Sequence, residues 1–150
     1  MAYRLDWKHQ LEMPFADRVH DAILAFLRTS GHGEWKPDEI EESDRFVLHF
    51  RRGVWNRSLF GMAKRLIPEP SWKNDPTRSS MTLRITLRPS PDSVNIGLFH
   101  SLHWTMGYAE NYAKQASDFY TEYVKAEVGA LADYLRDFFQ LPEPPGIEST

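Results

Sequence analysis

Arginine and histidine recur in this chain at the two-residue spacing that places side chains on one face of a strand. The chemistry such a row offers is anion binding. His49 and Arg51 alternate with Leu48 and Phe50, while Arg84 and Arg88 alternate with Leu83, Ile85 and Leu87 and share their parity with Thr82 and Thr86. Guanidinium forks bind carboxylate or phosphate through paired hydrogen bonds. The same pattern suits the solvent side of any antiparallel sheet, where Arg and Thr are ordinary residues. The acidic run between Glu34 and Asp44 could also neutralise these cations.

A second group of cations follows directly. From Arg51 to Pro68 the chain carries Arg51, Arg52, Arg57, Lys64 and Arg65 and no acid, with Trp55, Leu59, Met62 and Leu66 at helical spacing. A basic amphipathic helix of this kind lies on anionic membranes or docks to acidic partners. On that reading Arg52, Trp55, Arg57, Lys64, Arg65 and, in the proline-rich loop beyond, Trp72 form a partner or membrane surface. Gly53 and Gly61 weaken the helix, and packing of its apolar side beneath the domain is the plainer alternative.

Imidazole titrates near neutrality, so His49, His100 and His103 are the candidates for acid–base chemistry. His100 and His103 are three residues apart and would face opposite sides of a strand. No metal site is therefore expected, and no cofactor. The chain has no nucleophile elbow, phosphate loop, zinc-protease helix or EF-hand loop. Gly31-His32-Gly33 reads as a helix stop, and most acids read as solvated.

Composition narrows the classes further. The chain has 150 residues, 41% of them hydrophobic, and a formal charge of -3. That is enough apolar material for a single core, with no global attraction to nucleic acid. Nucleic acid is thus the least expected partner, and a small amphipathic ligand or a protein the more expected one. There is no Cys, and no stretch has the length and apolarity of a membrane span or signal peptide. A cytoplasmic location is the resulting expectation.

These side chains need elements to hold them. Tyr3, Leu5 and Trp7 alternate as a short strand. Phe15, Val19, Ile23 and Phe26 make the stripe of a helix begun at Pro14 and ended near Thr29. Pro37 demotes its surroundings to an edge strand or loop. Residues 45–52, 81–88 and 93–102 alternate as strands, the last two joined as a hairpin through Pro89-Ser90-Pro91-Asp92. From 106 to 139, Tyr120, Val124, Val128, Leu131, Leu135 and Phe138 recur with a helical period. The fold class expected is α+β: one antiparallel sheet of about four to five strands, packed against an N-terminal helix and a long C-terminal helix. Residues 1–141 would form one domain and 142–150 a flexible tail. The order of elements resembles the helix-grip architecture, which implies a sheet curved around its last helix and an apolar ligand cavity between them. The function expected is a non-enzymatic binding module for an amphipathic ligand or a protein. A peripheral membrane or docking role through 51–67, or a histidine acid–base enzyme, are the alternatives.

Overall fold

The computed structural model describes residues 2–14, 17–29, 35–37, 47–53, 80–105 and 108–149. Alternation of apolar and polar residues gives four long or medium strands: β1 (Ala2–Met13), β3 (Val47–Arg52), β4 (Met81–Pro89) and β5 (Val94–Thr105). Two short ones, β2 (Lys36–Pro37) and β6 (Ile147–Ser149), complete an antiparallel sheet in the order β2-β3-β4-β5-β1-β6. Pro37, whose nitrogen carries no hydrogen to donate, lies on the sheet's edge as expected. Helix α1 (Val19–Thr29) and helix α2 (Tyr108–Phe139) pack on one side. This is the α+β arrangement read from the sequence, with edge strands added.

The inner face of the sheet carries Leu11 and Met13 from β1, Leu48 and Phe50 from β3, Leu83 and Ile85 from β4, and Ile96 and Leu98 from β5. All are buried. Against them lies the stripe of α2, with Tyr120, Val124, Val128, Leu131 and Leu135 at most 2% exposed. Burying a side chain of this size stabilises by about 1.5–3 kcal/mol, so this interface is the main reason α2 stays on the sheet. Phe26 of α1 meets Tyr134 of α2 with ring centroids 5.6 Å apart, joining the two helices. A specific bond adds direction: Trp7 Nε1 on β1 donates to Thr121 Oγ1 on α2 at 2.8 Å.

Two expectations are corrected. Helix α1 does not begin at Pro14, because β1 runs on to Met13; the helix starts at Val19, after Arg18 with φ 66°. The segment after α2 is not a free tail. Gln140, at φ 53°, lets the Leu141 amide reach back to the Arg136 carbonyl at 2.8 Å and that of Gln140 to Asp137, closing the helix. The chain then returns to the sheet, where Ile147–Ser149 pairs with His9–Leu11.

Candidate anion-binding face

Directly paired residues in an antiparallel ladder share a face, so the register maps the outer surface of the sheet. One row across the strands reads His49, Arg84, Phe99, Lys8; the next reads Lys36, Arg51, Thr82, Ser101, Asp6. Arg88, Asn95 and Glu12 form a third row, and His103 with Arg4 a fourth. The described cations on this face are Arg4, Lys8, Lys36, Arg51, Arg84 and Arg88, against the carboxylates Asp6, Glu12 and Glu148. None of those acids is on β2, β3 or β4. A chain of formal charge -3 therefore presents a sheet face whose described excess is positive.

The four residues His49, Arg51, Arg84 and Arg88 share this face. Arg84 and Arg88 are exposed, and His49 is directly opposite Arg84. Phe99 organises the centre. The Arg84 guanidinium lies 5.0 Å from its ring centroid, and Arg4 and the Lys8 ammonium lie 5.5 Å away. Such contacts hold a cation to the ring face. Arg4 is also paired to Asp6 at 2.7 Å, and Ser101 donates to the same carboxylate oxygen at 2.7 Å. Partial burial would raise the Asp6 pKa, but these hydrogen bonds and the Arg4 charge hold it below the usual carboxylate value. His103 is near Thr82 at 3.2 Å. Its pKa is lowered by burial and by Arg4, with Asp6 opposing.

At the far end of the sheet a groove of about 790 Å³ is lined by Glu12, Asp92, Asn95, Ile147 and Glu148, among others. That lining is acidic, and Ile147 stands 43% exposed in it.

Beneath the basic face lies a second polar cluster, sealed in the core. Glu127 of α2 accepts from Arg52 Nη1 at 2.8 Å through one oxygen. Through the other it accepts from Trp35 Nε1 at 3.0 Å and meets His100 Nε2 at 3.4 Å. The Arg52 and Glu127 side chains are 1% and 4% exposed. The Arg52 guanidinium is 4.1 Å from the Trp35 ring and 5.1 Å from that of Tyr123, and its Nη2 approaches Met81 Sδ at 3.6 Å. Burial alone would raise the Glu127 pKa; the His100 hydrogen bond and the Arg52 charge outweigh it and leave the carboxyl lowered. As a carboxylate it offers no proton, so His100 Nε2 must carry the hydrogen of that contact. His9 lies on the same inner face, and its Nδ1 and that of His100 are buried without a hydrogen-bond partner among the described residues. The His9 pKa is lowered by burial, then by His100 and Lys125.

Arg52 is thus not part of a partner or membrane surface, because it shares the inward parity of Leu48 and Phe50. Trp55, Arg57, Lys64, Arg65 and Trp72 lie outside the described residues. The three histidines proposed for acid–base work do not converge: His100 faces the core, while His49 and His103 stand on the outer face two strands apart. Among the described residues no group of His, Cys, Asp or Glu is arranged to hold a metal ion. No described helix is long and apolar enough to cross a membrane. The sequence matches no protein-family model and no curated protein.

The sequence reading missed Phe99, Lys8, Arg4 and Glu127. Lys8 and Arg4 were already in phase on the polar side of β1. Phe99 was the apolar residue out of phase with Ile96 and Leu98. Glu127 is seven residues from Tyr120, which returns it to the buried side of the helix.

Proposed function

We propose that this domain is a binding module that works through the open face of its sheet and takes an anionic partner. The observation that carries the reading is the segregation of charge. Arg84 and Arg88 are exposed and have no carboxylate partner among the described residues, and the neighbouring outer positions of β3 and β4 bear only His49, Arg51, Val47 and threonines. Desolvating unpaired cations costs less when the arriving group is itself charged, and like-signed clusters steer such groups in. The inner face supports a different role. Its apolar side chains and those of α2 are buried in one cluster, and its charges are matched there. The acid-lined groove beside β6 has the wrong sign for the same ligand.

Retention of the full chain on heparin–agarose at low ionic strength tests this. The wild-type protein is expected to bind and to elute as salt screens the contact. The variant carrying Arg84→Glu and Arg88→Glu should elute at clearly lower salt. Flow-through of the wild-type protein, or an unchanged elution position for the variant, would overturn the proposal.

A further inference from the structure

Charge on the outer face is not merely dense; around Phe99 it is partitioned. Three cationic groups share one ring, at 5.0, 5.5 and 5.5 Å from its centroid. Any two of them are therefore no farther apart than the sum of those distances. Arg4 is already matched by Asp6 at 2.7 Å. Lys8 and Arg84 have no carboxylate within ion-pair distance among the described residues. They come from β1 and β4, the two strands that flank β5, and Arg84, Phe99 and Lys8 are successive partners in the ladder. Two uncompensated positive charges are thus each held within 5.5 Å of one ring centroid, with both side chains exposed.

Resting on the reading of this face as the working surface, the geometry points to a binding site for a phosphate monoester beside the Phe99 ring, held by Lys8 and Arg84. A monoester carries about -1.5 to -2 charges at neutral pH and three acceptor oxygens. That matches two unpaired cations, whereas a carboxylate matches only one. The guanidinium supplies a planar fork for two oxygens, and the ammonium a point charge for the third. Phe99 anchors each head within 5.5 Å of its centroid before the ligand arrives, so less side-chain freedom is lost on binding. Arg4, neutralised by Asp6, closes one side. His49, opposite Arg84 in the ladder, extends the row on the other.

Nuclear magnetic resonance of the labelled full chain tests the assignment, with phenyl phosphate as probe and benzoate as its singly charged counterpart. Phenyl phosphate is expected to give saturable shifts at the Arg84 Nε–H, the Lys8 side chain and the Phe99 ring, and to bind about tenfold or more tightly than benzoate. Lys8→Met and Arg84→Met should each weaken it by a similar factor, and Arg28→Met, in the last turn of α1 and outside the sheet, should leave it unchanged. Equal affinity for the two probes, or shifts confined to the Arg88 row, would sink the phosphate site. The heparin result would then tell the two proposals apart, since retention on heparin survives the loss of this site alone.

Discussion

Arg51 and Arg52 are consecutive on β3 and live in opposite worlds. Arg51 stands on the solvent side in the row with Lys36 and Thr82; Arg52 is sealed against Glu127, Trp35, Tyr123 and Met81. Inside, one guanidinium meets one carboxylate, because an unmatched charge in the core is expensive. Outside, cations accumulate with few acids among them, because water screens them cheaply. The lesson is that a charged residue's use in this protein follows from strand parity rather than from its neighbours in sequence. The buried pair ties β3 to α2, whereas Arg51 belongs to the outer row of the sheet.

The comparison breaks most sharply at Glu127. Glu127→Leu leaves Arg52 buried without its counter-charge and should cost about 3–5 kcal/mol of stability in urea unfolding. Adding Arg52→Met should recover much of that loss, since an apolar pair needs no charge matching. A single variant within about 1 kcal/mol of wild type would show that the inner cluster is hydrated and not sealed.

Acidity comes next. The ordinary imidazole pKa is 6.5 and that of His9 is lowered in the fold. Its contribution is therefore complete above pH 6.5, where folded and unfolded chains are both neutral. It is lost as pH falls through the folded value, because the unfolded ring takes its proton first. His103, also lowered, adds to the same limb. Glu127 acts lower: its stabilisation is full above the ordinary value of 4.5 and disappears as pH falls through the lowered one. Unfolding free energies should decline from pH 7 to 5, and His9→Gln should make that limb shallower, leaving the share of His103, without touching the loss below 4.5. A wild-type profile flat between 7 and 5 would refute the account of His9.

Smaller effects sharpen the contrast. Truncation before Ile147 removes the pairing of β6 with His9–Leu11 and should cost about 1 kcal/mol, with faster amide exchange along that part of β1. Arg88→Ala should stay within about 0.5 kcal/mol of wild type while still reducing retention on a polyanion. A large stability loss at Arg88 would mean that the outer face is structural.

Much of the sheet was legible because period-two alternation is a local signal. Leu83, Ile85 and Leu87 fixed β4, and the outward phase of Arg84 and Arg88 followed. The inward turn of Arg52 was equally legible from Leu48 and Phe50, but the run of cations after it suggested a surface helix and hid the parity. β1 was read too short because His9 interrupts the apolar series that resumes at Leu11 and Met13. What sequence could not supply was distance in space. Trp35 and Glu127 are 92 residues apart, and the strand at Ile147 exists only because β1 offers an edge to it. Phe99 gained meaning only once the ladder set it between Lys8 and Arg84.

The Arg52–Glu127 pair also bears on how the chain finds this arrangement. A one-residue slip of β3 along β4 is rejected by the apolar pattern, because it turns Leu48 and Phe50 to water. A two-residue slip keeps every greasy side chain inward and escapes that penalty. It shifts the strand by about 6.6 Å, however, and strands both the guanidinium and the carboxylate in the interior. The salt link thus serves as a proofreading mark, discriminating against the even-numbered misalignments that strand parity alone would tolerate.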